Sequence, residues 1–262
     1  RYEDRIHWET GPNRGACAAR NRGLALARAD YVMFLDADDY LYSGSLVCAL
    51  PSERKDLVLC GHDIENELSH KHTRKQPRAH AIRDANDLTH WLLTKHFIPP
   101  IATIWNRAFL LRIGGWGISK RHQDAELLYR AISHYPNLEI SECGLGVYFQ
   151  HTGLRISHKS DEETISSCIQ VLHATNERLK ALNDFPAWRS HGSLWAYSLM
   201  LLAARAEDKK NYDTARRLWR NLGAKSRETR PFFRAAETLL GVYNTQRIKD
   251  VLRSSRPSFL KA

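Results

Sequence analysis

Tyr31 to Leu41 reads YVMFLDADDYL, an apolar and aromatic run that drives straight into Asp36, Asp38 and Asp39, with only Ala37 between them. A short run of this kind, Tyr31–Leu35, predicts a strand buried in a parallel sheet. In an open α/β sheet, ligands gather beyond the carboxyl ends of such strands. Carboxylates packed side by side repel one another. The cluster is therefore either a turn that caps the next element or a seat for a hard divalent cation, held by one or two carboxylates, waters and phosphate oxygens. The eleven residues alone leave both readings open.

Upstream, Gly15–Ala29 (GACAARNRGLALARA) is rich in Ala, Leu and Arg and predicts a helix interrupted only by Gly23. Downstream, the pattern predicts a helix over Ser43–Leu50, a strand over Asp56–Ile64, and a solvated hairpin or insertion over Glu65–Ala81, whose His70 and His72 lack the further partners a metal site needs. A helix over Asp84–Phe97, a strand over Ile101–Trp105, helices over Asn106–Arg112 and Ala125–Tyr135, and strands over Leu138–Ser141 and Leu145–Gln150 follow. Strands alternating with helices point to an α/β fold. From Asp161 onward every periodic segment is helical: Ile165, Ile169, Leu172 and Leu179 share a face, and further helices are expected over Trp195–Glu207, Tyr212–Leu222 and Arg234–Tyr243. Leu194–Arg205 and Tyr212–Leu222 resemble one tetratricopeptide-like hairpin, but a stack needs about three or more units, so ordinary helix packing is the expectation.

A chain of 262 residues, 43% hydrophobic, buries a real core and is globular. Its five cysteines are scattered with no C-x-x-C pair, which suggests neither a disulfide framework nor a zinc ribbon and fits a reducing cytosol. No apolar run approaches the ~18 residues of a membrane span, and the first residues do not resemble a signal peptide. The formal charge of +10 is uneven: Arg205–Ala262 holds 15 Lys and Arg against 6 Asp and Glu, leaving +1 for the rest. That basic stretch suits a polyanion or an anionic membrane surface, and an ordinary solvated helix face stands as the alternative. No zinc spacing, helix-turn-helix or basic aromatic sheet supports nucleic acid as a partner.

The wider text around the acids carries a resemblance. Gly11–Leu41, with Asn13, Gly15, Ala19, Arg20, Asn21, Gly23, Ala27, Asp36 and Asp38 in place, resembles the middle of the glycosyltransferase family 2 catalytic domain, where N-x-G-x-x-x-A-R-N-x-G-x-x-x-A precedes a strand ending in D-x-D. WNRAFLLRIGGWGISKRHQDAELLYRA is similar to the family's acceptor region, with Gln123 where Glu is usual and Asp124 intact. VYFQHTGLRISH is similar to its closing strand, and the blocks together span Asn13–His158. The resemblance implies a GT-A (Rossmann-like) mixed sheet flanked by helices, lacking its first strands, plus an α-helical C-terminal region. The expected organisation is a partial catalytic domain over 1–158 and a helical extension over 159–262. The sequence opens mid-pattern, at what reads as a strand and turn already inside a domain, so a fragment of a longer protein is expected.

Roles follow from the resemblance. Asp38, Asp36 and His151 would hold Mn2+ or Mg2+ on the diphosphate of a nucleotide diphosphate sugar, with a UDP-linked donor expected. Arg20, Asn21, Asp36 and Ala37 would contact the donor, while Gly115, Trp116 and Gln123 would contact acceptor or sugar, with Trp116 offering a flat face. Asp124 would take the acceptor hydroxyl's proton as general base, giving a single displacement with inversion. Structural alternatives stand beside each role: Asp124 as a helix N-cap, Trp116 as packing, Arg20 as a surface helix residue. The expected acceptor is a glycan or lipid-linked precursor, with the enzyme cytoplasmic and resting at the inner face of the membrane. Two rivals are a haloacid-dehalogenase-like Mg-dependent phosphatase, disfavoured by Tyr40 and the absence of a later Gly-Asp strand end, and a non-catalytic basic binding module.

Overall fold

The computed structural model of the protein describes residues 6–69, 71–76, 82, 84, 87–88, 98–117, 119–120, 122–153, 161–181, 185–224 and 244–245. Expectations at His70, over most of 84–97, at His158 and over nearly all of the basic stretch beyond residue 224 lie outside these residues.

The elements follow the predicted alternation. Helix α1 (Ala16–Leu26) leads into β1 (Tyr31–Met33), then β2 (Tyr40–Leu41), α2 (Ser45–Ala49), β3 (Leu57–Asn66) and β4 (His72–Lys75). A 3-10 turn at Pro100–Ala102 precedes β5 (Thr103–Asn106), α3 (Arg107–Arg112), α4 (Gln123–Ile132) and β6 (Leu138–Gln150). Helices α5 (Glu162–Ala181), α6 (Phe185–Arg205) and α7 (Lys209–Asn221) complete the described chain. Residues 6–15 form no strand, contrary to the expectation for the opening segment.

The sheet runs β1-β5-β3-β6-β2, with β4 beside β3. Among the described residues only β3 and β6 pair in parallel; β1 pairs antiparallel with β5, Val32 opposite Trp105. The mixed sheet agrees with the expected fold, but β1 is not the parallel strand its apolar run suggested. A wholly apolar strand reports burial on both faces, and burial does not encode the neighbour's direction. β6 is one strand of 13 residues where two were expected, because its Gly144–Gly146 segment stays on the ladder through shifts of register against β3. Gly146 allows this: a Cβ there would sit 2.1 Å from the Tyr40 carbonyl oxygen, so only glycine lets β2 lie against β6.

β3 shows how alternation places the core. Leu57 and Leu59 face the main hydrophobic cluster, while Val58 and Cys60 face a smaller one with Ile104 and Leu145. The main cluster continues from the sheet through Leu127 and Tyr129 into Ile165, Leu172, Trp188 and Tyr197, so the C-terminal helices share the core of the α/β part. Tyr129 meets Trp188 edge to face at 5.6 Å. In the α6–α7 pair, Asp208 caps α7 by accepting from the Asn211 N–H, and Tyr212, Ala215 and Leu218 are buried.

Cys48 and Cys143 form a disulfide between the end of α2 and β6. This corrects the expectation of unpaired thiols. The bridge spans 95 residues and follows from where the sheet brings α2, which no local spacing announces. Cys17, Cys60 and Cys168 are buried thiols.

Candidate active site

The acids sit where the sheet leaves them, just past β1. Asp36 to Asp39 form a tight turn closed by Asp39 N–H donating to the Asp36 carbonyl at 3.1 Å, with Ala37 and Asp38 exposed at its tip. The carboxylates do not act as a trio. Asp39 is 7% exposed and accepts the Phe149 N–H at 3.0 Å, pinning the turn to β6. That clamp brings His151, just past β6, to Asp38: Nε2 lies 3.4 Å from Oδ2, with both side chains still open to solvent. Asp36 turns away, accepting from Arg20 Nη2 at 2.5 Å.

Arg20 is the hub. Helix α1 starts at Ala16 on a Gly15 in left-handed backbone (φ 87°), its N–H held by Asn13 Oδ1. From this helix Arg20 reaches the acids and Asn21 reaches the backbone of Trp116. Arg20 Nη1 donates to Gln123 Oε1 at 2.7 Å, and the guanidinium lies 4.4 Å from the Trp116 ring centroid, a cation–π stack. One half-buried cation thus joins the acid turn, the first residue of α4 and the aromatic turn.

Asn21 holds that aromatic turn from below. Its Oδ1 accepts the Trp116 N–H at 2.8 Å and its Nδ2 donates to the Trp116 carbonyl at 2.9 Å. Gly115 has φ 64°, and a Cβ on it would come within 2.5 Å of Asn21 Oδ1, so glycine is needed both for the backbone and for the approach. Trp116 itself is 3% exposed, packed edge to face on Phe34 at 5.1 Å and covered by Arg20. Its ring is a floor beneath the arginine, where the sequence reading had it open to a sugar.

Asp124 lies in the first turn of α4, next to Gln123. The N-cap position belongs to His122, in left-handed backbone, so the capping alternative for Asp124 is replaced by a first-turn position. Burial pushes its carboxyl pKa up from the usual range, against the backbone N–H groups of Ala125 and Asp124 and the charge of Arg20; Asp36 pushes it up slightly further. Gln123 also donates from Nε2 to the Ser119 carbonyl at 3.0 Å.

Sequence reading missed the brace behind the aromatic turn. Arg130 donates to the Ile113 carbonyl and, at 2.6 Å, to the Gly115 carbonyl, while gripping both oxygens of buried Glu126 at 2.9 Å. Arg178 of α5 reaches the same Glu126 at 3.4 Å. An i,i+4 Glu–Arg spacing on α4 was the available signal, but such pairs are common on exposed helix faces.

Among the described residues no group of three or more His, Cys, Asp or Glu side chains is placed to hold a metal ion. Asp38 and His151 offer an oxygen and a nitrogen donor side by side and partly open. That set fits a cation completed by phosphate oxygens and water, as Mg2+ commonly is. Asp36, engaged by Arg20, is not part of it.

Residues 1–111 match the family model described as Glycosyl transferase family 2. No curated protein matches the sequence. Among solved structures, the chain is similar to the crystal structure of S. aureus TarS 1-349 in complex with UDP-GlcNAc, at 16% identity and a TM-score of 0.46, over 79% of this chain and 72% of that one.

Proposed function

Starting from the family 2 glycosyltransferase domain to which residues 1–111 belong, we propose that the chain transfers a sugar from a nucleotide diphosphate donor, UDP-linked, to an acceptor hydroxyl with inversion, Asp38 and Asp124 serving opposite ends of one displacement. The observation that carries this reading is the Arg20 bridge, which ties Asp36 beside the acid turn to Gln123 beside Asp124.

Asp124 accepts the proton of the attacking hydroxyl. Its raised pKa suits a base that must hold a proton as the new bond forms, while the charge of the neighbouring Arg20 opposes that rise. Asp38, with His151, would hold Mn2+ or Mg2+, whose charge offsets that developing on the departing diphosphate. Arg20 orients Asp36 towards the donor and keeps the two ends of the site in register. Asn21 and Gly115 fix the backbone on the acceptor side. The acceptor is a glycan or a lipid-linked precursor, and the basic stretch 205–262 would rest on an anionic membrane surface. Among the described residues no helix is long and apolar enough to cross a membrane.

The test is release of the nucleoside diphosphate from a panel of nucleotide sugars with Mn2+. Asp124→Asn should cost roughly 10²–10⁴-fold in kcat, the usual worth of a general base. Asp38→Ala should abolish the thermal shift produced by UDP with Mn2+. A shift that survives Asp38→Ala overturns the metal role; turnover that survives Asp124→Asn overturns the base.

A further inference from the structure

At the opposite end of β1 from the acids, the chain lines a cavity of about 410 Å³ with three arginines: Arg28 after α1, Arg54 after α2 and Arg107 at the start of α3. The size falls within the roughly 300–1,000 Å³ of small-molecule sites. Its walls are tied together. Arg107 N–H donates to the Asp30 carbonyl at 2.8 Å, and the Tyr31 hydroxyl accepts the Lys55 N–H at 3.0 Å, joining the α1–β1 turn to the segment after α2.

The electrostatics of this cavity are unfinished within the protein. None of the three guanidinium groups forms an ion pair among the described residues. Among the described residues Arg107 Nε is buried with no hydrogen-bond partner, so one donor of that guanidinium has no acceptor. Three arginines around one hollow repel one another, and an anion between them relieves the cost. The lining also includes Asp30, Ser52 and Glu53. Glu53 stands 3.8 Å from Lys55 Nζ. Carboxylates and a hydroxyl beside arginines disfavour a bare anion but accept hydrogen bonds from alcohol groups.

We propose that this cavity binds a phosphate ester that also carries free hydroxyl groups, its phosphate between Arg28, Arg54 and Arg107 and its hydroxyls towards Asp30, Ser52 and Glu53. Arginine is suited to the phosphate, which its planar fork meets through two N–H groups at once. The site is separate from the acid turn and does not depend on the reaction proposed there.

The same chemistry occurs in a free sugar phosphate and in a phospholipid headgroup. The test titrates the full chain, in the presence of a chelator, with glucose 6-phosphate, inorganic phosphate and glucose by calorimetry, and floats it with phosphatidylglycerol vesicles. Glucose 6-phosphate should bind more tightly than either of the others. The double variant Arg28→Gln/Arg54→Gln, both positions exposed, should weaken it by about tenfold or more, as should Arg107→Gln, while Asp38→Asn leaves it unchanged. Circular dichroism checks that each variant folds, and the UDP–Mn2+ thermal shift should persist in the double variant. Weakened glucose 6-phosphate binding with unchanged flotation assigns a free ester; loss of both assigns a headgroup. No binding of glucose 6-phosphate below about 10 mM, or binding that the arginine variants leave intact and Asp38→Asn removes, overturns the proposal.

Discussion

The acid turn at Asp36–Asp39 and the glycine–tryptophan turn at Gly114–Trp116 meet at Arg20, yet they are held by different means. The acid turn hangs on one main clamp, Asp39 to the Phe149 N–H, and leaves Asp38 and His151 open to solvent. The aromatic turn is fixed by side chains at four of its backbone groups. Asn21 takes both the N–H and the carbonyl of Trp116, and Arg130 takes the carbonyls of Ile113 and Gly115. The difference matches the work proposed for each. A donor diphosphate brings its own charge and cation, so its end of the site needs loosely held, accessible groups. An acceptor hydroxyl must be delivered to a base within about a hydrogen-bond length, and that needs a preset backbone.

Breaking the brace should therefore cost stability, and emptying the acid turn should not. Arg130→Met strips two carbonyls of their donor and leaves Glu126, whose side chain is 10% exposed, with Arg178 alone. Removing one partner of a buried pair costs roughly 3–5 kcal/mol, which lowers Tm by on the order of 10 °C in a chain of this size. Asp38→Ala removes an exposed carboxylate, and its Tm should stay within a degree or so of the parent's while donor binding is lost. Thermal melts of the two variants side by side check this; equal losses would erase the contrast between the turns.

How much of this was legible in the sequence depends on how far apart the partners lie. Helix α1, the strand before the acids and the turn itself are local patterns, and Asp36 meets Arg20 across only 16 positions. Asn21 and Trp116 are 95 apart, Gln123 and Arg20 are 103 apart, and Arg178 lies 52 beyond Glu126. Periodicity reports which face of an element is buried, and says nothing about which other element covers it. That is why the antiparallel pairing of β1, the Cys48–Cys143 bridge and the stacking of Arg20 on Trp116 were not readable, although the residues at these places were. The family pattern marked Arg20, Asn21 and Asp124 as belonging together; the structure adds the physical reason, one guanidinium shared between turns.

Asp124 sharpens the comparison through pH. Its pKa is raised, so the folded state favours the protonated form. The contribution of this group to stability is greatest at low pH and declines as pH rises through the native pKa, the reverse of a salt-bridged carboxylate. Activity runs the other way, because only the ionised form accepts a proton. The acid limb of the kcat/KM profile should lie above the ordinary aspartate value of 3.8, and Asp36→Asn, which removes a neighbouring negative charge, should move it down. Asp124→Asn should be at least as stable as the parent at pH 8 while inactive, and a less stable Asn variant would indicate that the ionised carboxylate supports the fold.

The smallest effect expected is at the junction of the two turns. Gln123 gives Oε1 to Arg20 and Nε2 to the Ser119 carbonyl, so the amide serves both sides at once. In Gln123→Glu the first contact gains charge, while the second becomes a carboxylate facing a carbonyl oxygen. A stronger bond to Arg20 and a lost bond to Ser119 offset each other to within about 1 kcal/mol. The added negative charge also draws Arg20 away from Asp36, so donor KM should rise a few-fold with kcat little changed. Steady-state kinetics against donor concentration reads this directly. If kcat falls and KM holds, Gln123 acts through Asp124 on the acceptor side, and Arg20 does not couple the two turns.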